Sequence, residues 1–274
     1  MNPNLQELLS RTDAVMQGRP PRPRGRPAHV GVDLGTAYTV LLALDDNQQP
    51  LAGAYQFAQV VRDGLVVDFH GAISLLKRLK QQVEPRLGVE LTRAASGYPP
   101  GVPRSEVRAT ANVLIAAGLE CSDLIDEPTA ANNVLQIRHG AIVDVGGGTT
   151  GIAVVEDGKV IYTADEPTGG THFSLVIAGG LGLTFEQAEE LKKDPQAQAR
   201  LFPVLRPVME KVGSIVRRHV AGYAVDALYL VGGTCAYPGM AQVIEEYTGI
   251  KTLLPGNPLF VTPLGIAMHD RAGR

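Results

Sequence analysis

The 274-residue sequence has no tryptophan, and aromatic residues make up only 5% of it. A platform that stacks bases or sugars needs exposed rings, so none is expected. Charge of one sign is also lacking: 25 lysines and arginines face 28 aspartates and glutamates, for a net charge of −3. That balance gives no electrostatic case for a nucleic acid or an anionic membrane as partner. Only two cysteines occur, Cys121 and Cys235, far apart and without metal-ligand spacing. They read as reduced thiols of a cytoplasmic protein. No apolar run approaches the roughly 18 residues of a membrane-spanning helix, and no secretory leader is legible, so a soluble, non-exported chain is expected.

What is present is a repeated pattern. In Ala141 to Thr163 an apolar run ends at Asp144, and Gly146, Gly147, Gly148, Thr149 and Thr150 follow. A second apolar run, the pair Asp157-Gly158 and a third apolar run complete it. Three residues without Cβ let a ligand approach the backbone N–H groups, and Asp144 stands where a metal riding on phosphates would sit. The stretch reads as a strand, a phosphate-facing turn and two further strands. Gly146-x-Gly148-x-x-Gly151 also matches a dinucleotide fingerprint, with Asp165 roughly twenty residues on, but that motif needs a helix directly after the glycines. Ile152 to Val155 are strand formers, and Asp157-Gly158 is a hairpin turn.

The same grammar stands near the front. An apolar run ends at Asp33, Gly35 and Thr36 make the turn, Ala37 to Leu44 is apolar, and Asp45-Asp46-Asn47 turns the chain again. One aspartate–glycine–threonine hairpin is thus written twice, about 110 residues apart, as in an internal duplication. Two such copies facing each other suit a metal-bound polyphosphate. At 45% hydrophobic the chain has material for two modest cores. The expected organisation is an N-terminal segment (1–27), a first lobe (28–139) and a second lobe (140–274), with the last helix returning to the first lobe.

Along the chain, Leu5, Leu8, Leu9, Val15 and Met16 suggest a short amphipathic helix, and the prolines and arginines of 19–27 an extended linker. This segment reads either as a frayed terminus or as a docking tag for a partner's groove. Val60 to Asp68 is a short apolar connection. A helix is expected over 69–83, a strand over 91–98, a helix over 105–118 and a strand over 119–125. Glu127 opens the next helix, beside Pro128. Further on, a helix over 185–193 begins after Thr184 as cap, and another is expected within 203–218. His219 reads as an exposed helix end, since nothing in the sequence pairs with it. A buried strand over 227–231 then runs into Gly232-Gly233 and a helix over 240–247, the way an open α/β sheet receives a ligand at its strand ends. Cys235 in that loop has no histidine placed to activate it.

The segments VGVDLGTAYT, DEPTAA, DVGGGTTG, LYLVGGTCAYPGM and TPLGIAM resemble, in order, the five nucleotide-site motifs of the actin-like ATPase superfamily, which includes Hsp70 chaperones, MreB, FtsA and actin. The resemblance covers about residues 28 to 270. Within it, VVRDGLVVDF, SGYPPG and GGGTTGIAVVEDGKVIYTADE look like a small chaperone-like branch that serves ethanolamine utilisation. The resemblance implies an α/β, ribonuclease H-like fold: two duplicated lobes around a nucleotide cleft, with a reduced upper subdomain in the first. It implies ATP or ADP with Mg²⁺ as cofactors. Asp33 and Asp144 would hold Mg²⁺ through waters and, with Glu127 orienting the attacking water, form the catalytic set. Gly35, Thr36 and Ala37, then Gly146, Gly147, Gly148 and Thr149, would cradle phosphates. Gly232, Gly233, Thr234 and Pro238 would border the adenosine, and Glu210 would reach the ribose.

Three departures bear on activity. Gly213 stands where Hsp70 chaperones have a lysine three residues after that glutamate. Gly151 stands where many members carry an acid. The segment before Leu91 is too short for the large upper subdomain, and no lysine matches the catalytic one of Hsp70. Since positioning is most of phosphoryl-transfer catalysis, Mg-ATP binding with slow or absent hydrolysis is expected. The implied role is a chaperone-like or assembly factor acting on ethanolamine-utilisation enzymes or microcompartment proteins, docking through residues 1–27. An actin-like filament protein and a small-molecule kinase of the same fold are the alternatives.

Overall fold

The computed structural model describes residues 3–19, 26–62 and 65–270. Most of the expected Pro/Arg linker, Asp63 and Gly64 of the short connection, and residues 271–274 lie outside them. The chain forms two compact units, one holding residues up to Gln136 together with those from Phe260, the other Ile137–Leu259.

The first unit begins with α1 (Pro3–Met16), followed by β1 (His29–Leu34), β2 (Tyr38–Leu44) and β3 (Pro50–Phe57). A two-rung ribbon of β4 (Val61–Arg62) and β5 (Leu65–Val66) leads to α2 (Phe69–Leu87). Then come β6 (Arg93–Tyr98), α3 (Arg104–Ala116), β7 (Glu120–Asp126) and α4 (Glu127–Leu135). The sheet order is β3-β2-β1-β6-β7, antiparallel across the first three strands and parallel beyond β1. The core lies between this sheet and the helices, where Leu41, Leu75, Leu76, Leu79, Leu114 and Leu119 are buried. α2 starts where the Asp68 carboxylate accepts from Gly71 N at 2.8 Å and ends at Gly88, whose φ of 70° favours a residue without Cβ.

The second unit repeats the plan. β8 (Gly140–Val145), β9 (Thr150–Glu156) and β10 (Lys159–Glu166) form the meander. Helices α5 (Gly170–Leu181), α6 (Phe185–Lys193) and α7 (Pro195–Val220) follow, then β11 (Ala227–Val231), α8 (Met240–Thr248) and β12 (Lys251–Leu253). The order β10-β9-β8-β11-β12 has the same mixture of antiparallel and parallel pairs. The duplication extends to the register: Leu34 opposes Thr39 as Val145 opposes Thr150. α6 opens with the expected cap, a reciprocal box of Thr184 and Gln187. α7 starts at Pro195, not near Pro203, and runs through both Pro203 and Pro207. Its buried face at Ala197, Leu201, Leu205, Met209 and Val212 is continuous across them, and packing outweighs the lost backbone bonds.

The chain then returns to the first unit as α9 (Val261–His269). This helix lies on β1 so closely that a Cβ at Gly31 would be 2.5 Å from Ala267 N, and a Cβ at Gly265 would overlap the Ala130 carbonyl of α4. The buried Asp270 fastens its end, accepting from Val30 N at 2.8 Å and Ser122 Oγ at 2.6 Å. The reading of a frayed terminus does not hold for the helix: α1 packs on β3 with Leu5, Leu9, Val15 and Met16 buried. Met16 occupies the space above Gly53, and Arg86 Nη1 donates to the carbonyls of Gly53 (2.9 Å) and Val15 (3.4 Å). A sheet edge with an unfilled apolar face is satisfied here by the chain's own helix. No helix among the described residues is long and apolar enough to cross a membrane.

Two predictions follow from this packing. Leu9→Ala should cost about 2–5 kcal/mol, read as a lowered denaturant midpoint, because Leu9 is 1% exposed. The duplicated threonines should respond in opposite directions. Thr150 Oγ1 donates to the Thr168 carbonyl at 2.6 Å, whereas Thr39 Oγ1 is buried without a partner among the described residues. Thr39→Val should therefore be neutral or stabilising by about 1 kcal/mol, and Thr150→Val destabilising by about 1–3 kcal/mol, in the same denaturation assay.

Candidate functional site

The chemistry-bearing residues of the first unit gather at the carboxyl ends of β1 and β6. After Asp33, Gly35 N donates to the Tyr38 carbonyl at 3.1 Å, closing the turn that carries Gly35, Thr36 and Ala37. A Cβ on Gly35 would be 2.7 Å from that carbonyl, so the turn needs glycine there. Glu127 is the first residue of α4, whose N-cap is Asp126 accepting from Thr129 N at 3.0 Å. Its Cγ is 3.5 Å from where a Cβ on Gly97 would lie, and Gly97 follows the β6 residue paired with Val32. Glu127 thus stands over the strand beside Asp33, half-buried, at a helix start whose dipole favours its negative charge.

The second unit builds the same turn more tightly. Gly146 N donates to the Thr149 carbonyl at 3.0 Å. A neighbouring loop, residues 168–171, presses on the turn: Gly170 N donates to Gly146 O at 3.0 Å and Thr171 N to Gly147 O at 2.7 Å. A Cβ on Gly169 would lie 2.7 Å from Gly146 O and 2.9 Å from Gly147 O. From the other side Thr234 Oγ1 donates to Gly146 O at 2.8 Å. Gly232, at φ 88°, passes so close to Asp144 that a Cβ would overlap Oδ1 of its carboxylate. With the carbonyls engaged from both sides, the N–H groups of Gly147, Gly148 and Thr149 donate to no backbone carbonyl among the described residues. Successive half-exposed amides beside a carboxylate make an anion-binding concavity.

Residues 168–171 are a part of the site that sequence reasoning missed. Their glycine pair was the available signal, since adjacent glycines before a helix allow backbone to meet backbone. A second missed feature fixes α5. Lys192 Nζ on α6 donates to the Gly170 carbonyl (3.1 Å), Ser174 Oγ (3.0 Å) and the Glu189 carboxylate (2.7 Å), and Ser174 also donates to Glu189. Burial pushes the Glu189 carboxyl up, but Lys192, Ser174 and Lys193 outweigh it and hold it below its ordinary value. Burial also pulls Lys192 down, only partly opposed by Glu189.

Other expected residues are placed as follows. Gly233 and Thr234 form a 3₁₀ turn after β11, and Pro238 is exposed beyond it. Glu210 on α7 accepts from Arg206 Nε at 2.8 Å, and the same arginine reaches Glu246 of α8 at 2.9 Å. Gly213 meets the Tyr247 ring at a spacing that no larger side chain permits, which accounts for the missing lysine. Cys235 is fully buried, and burial followed by the Asp144 charge pushes its thiol far up, so it is no nucleophile. The reading of His219 as an exposed end is corrected: its Nδ1 is 2.7 Å from Tyr162 OH and its Nε2 3.0 Å from Glu166. Both partners sit on β10, over fifty residues away in sequence, so local reading could not find them. No group of three or more His, Cys, Asp or Glu residues able to hold a metal ion occurs among the described residues.

Comparison with known proteins follows the same lines. The MreB/Mbl protein family matches residues 53–182 and the type IV pilus assembly protein PilM family residues 128–261. The chain is 42% identical over 273 residues to the ethanolamine utilization protein EutJ of Salmonella typhimurium (strain LT2), covering 99% of this chain and 94% of that one. It is 24% identical to the chaperone protein DnaK of Thermus thermophilus, over 71% of this chain and 42% of DnaK. The crystal structure of EutJ from Carboxydothermus hydrogenoformans superposes with a TM-score of 0.92 at 45% identity, covering 97% and 98% of the two chains. A chain of the PilM–PilN type IV pilus biogenesis complex superposes at 0.77 over 90% of this chain and 99% of that one, and at 16% identity shares the fold.

The Lys192–Glu189 pair yields a pH prediction. A carboxyl held low in the folded state stabilises fully above its unfolded value, and the gain is lost as pH falls through the folded value. Thermal stability should drop on acidification below the ordinary carboxylate range, with a smaller Glu189-dependent loss in Glu189→Gln. At neutral pH that variant should cost about 3–5 kcal/mol, since Lys192 is left charged and buried.

Proposed function

The chain belongs to the EutJ family of ethanolamine utilization proteins, within the actin- and Hsp70-like ATPase superfamily, and from that premise we propose that it binds Mg-ATP as a chaperone-like factor of ethanolamine utilisation. The observation that carries the nucleotide reading is the duplicated turn. Each unit ends its first strand in an aspartate and closes a glycine turn by the same backbone bond, Gly35 N to Tyr38 O and Gly146 N to Thr149 O. One turn could be a bland hairpin. The same turn written twice, with the same strand order around each copy, supports the nucleotide reading.

The residues present fit the cofactor. The amides of Gly147, Gly148 and Thr149, bonded to no backbone carbonyl among the described residues, match phosphate oxygens, and the space that a Cβ at Gly232 would fill is kept for the Asp144 carboxylate. Hard carboxylate oxygens on Asp33 and Asp144 suit a magnesium ion that keeps its waters. When bound, that ion neutralises charge on the phosphates. Gly35, Thr36 and Ala37 would serve the phosphates from the first unit, Gly233, Thr234 and Pro238 the adenosine side, and Glu127 would orient the attacking water. Glu210, tied to Arg206, would reach a ribose only by exchanging that partner.

Turnover should be slow or absent. Glu127 is left to fix the attacking water with no lysine matched to the catalytic one of Hsp70, and a water held by fewer groups spends less time in line. The partners are then ethanolamine-utilisation enzymes or microcompartment proteins in the cytoplasm. α1 lies on β3, so docking through residues 1–27 would need either its polar face or its release.

Calorimetric titration with Mg-ATP and Mg-ADP tests the reading. Micromolar-range binding, about −8 kcal/mol, is expected for the wild type and should be lost in Asp33→Ala and Asp144→Ala. Absence of binding at millimolar nucleotide would leave the turns as inherited architecture.

A further inference from the structure

The row of residues that runs across the second sheet from Asp144 carries a second carboxylate. In the β8–β9 pairing Asp144 lies directly opposite Gly151, and in the β9–β10 pairing Gly151 lies directly opposite Asp165. Residues directly opposite one another project from the same face of a sheet. Asp144, Gly151 and Asp165 therefore form one row on three adjacent strands, and its middle member has no side chain. With neighbouring strands about 4.8 Å apart, the two aspartate backbones stand about 10 Å apart across that gap. A Cβ built on Gly151 would be 3.8 Å from Asp144 Cβ and 3.8 Å from Asp165 Oδ1, so the Asp165 carboxylate leans over the glycine toward Asp144.

The alternation of β10 separates this acid from its neighbour. Glu166 points to the other face, where it accepts from Arg218 Nη2 and meets His219. That side-chain contact with His219, set against slight burial and joined by Arg218, holds the Glu166 carboxyl below its ordinary value. Asp165 is exposed, on the face that carries Asp144. The sequence thus places one acid in a structural ion pair and the next beside the phosphate turn.

We infer that Asp165 is a positioning residue for the magnesium ion of the bound nucleotide: across the slot left open by Gly151, it orders the waters through which Asp144 holds that ion. The inference rests on the Mg-ATP reading above. A gap between two carboxylates, without an intervening side chain, suits an ion that dehydrates reluctantly and is held through its water shell. Gly151 is then the complement of Asp165, because a side chain at 151 without a carboxylate would fill the space those waters occupy and offer them no charge. The two positions are interchangeable in principle, since position 151 has an ordinary backbone and only van der Waals distances around its missing Cβ.

The test is calorimetric titration of the full chain with ATP, once with excess Mg²⁺ and once in a chelator, for wild type, Asp165→Asn and the double variant Asp165→Asn/Gly151→Asp, with melting curves for each. Asp165→Asn is expected to weaken Mg-ATP binding about tenfold while changing metal-free ATP binding by less than about twofold. Its melting temperature should stay at the wild-type value. Moving the acid one strand inward in the double variant should recover most of the lost affinity. An Asp165→Asn protein that binds Mg-ATP like the wild type overturns the assignment, as does one that loses affinity equally with and without Mg²⁺. Either result leaves nucleotide binding standing. A wild-type chain that binds no nucleotide in either condition removes the Mg-ATP reading itself, and the role of Asp165 with it.

Discussion

Backbone packed directly on backbone around Gly146 is the constraint on which the second unit depends. The Gly146 carbonyl accepts from Gly170 N and from Thr234 Oγ1, and the Gly146 amide closes the turn on Thr149. Three segments far apart in sequence therefore meet at one peptide group, and at Gly169 and Gly232 the approach excludes even a methyl. A buried carbonyl left unpaired would cost about 1–3 kcal/mol, so these bonds are as much a folding requirement as a preparation for ligand. The consequence is asymmetric: the carbonyls of Gly146, Gly147 and Thr149 are taken up by protein, while the amides of Gly147, Gly148 and Thr149 bond to no backbone carbonyl among the described residues.

Behind that contact stands a second layer of support. α5 begins at Gly170, and Lys192 grips both its first carbonyl and Ser174 in its second turn, with Glu189 balancing the charge. A buried lysine is costly unless it is paired, and here it is paired and also hydrogen-bonded to backbone and hydroxyl. The arrangement fixes where α5 starts, and with it the height at which Gly169 and Gly170 meet the turn. In the first unit the corresponding support is apolar: α4 and α9 cross at Ala130 and Gly265, which sets where Glu127 stands.

Much of this was legible in the residues. The hairpin pair Asp157-Gly158 carries its geometry locally, because few residues accept its φ values of 50° and 79°, and Gly35 is marked by the close approach of the Tyr38 carbonyl. Thr184 marked the start of α6, because a hydroxyl there can accept from a free helix amide, here Gln187 N. What escaped was tertiary. His219 finds Tyr162 and Glu166 only because the last turn of α7 comes to β10 in the folded chain. α7 itself begins eight residues before Pro203, where a proline normally marks a start, because a buried face outweighs two missing amides. The N-terminal helix reads as amphipathic, but amphipathicity does not name the surface that covers it, and here that surface is β3.

The same limit applies to the missing acid at position 151. Read along one strand, Gly151 removes a carboxylate from the neighbourhood of Asp144. Read across the sheet, Asp165 stands opposite that glycine, fourteen residues later in the chain and one strand away in space. A sheet places side chains by register and not by sequence distance, so a function lost from one strand can be supplied from its neighbour at the same height. The supply works only if the residue between the two acids stays small, which makes the glycine and the aspartate a single feature. Substituting either alone should disturb the same property, the handling of a hydrated cation beside the turn.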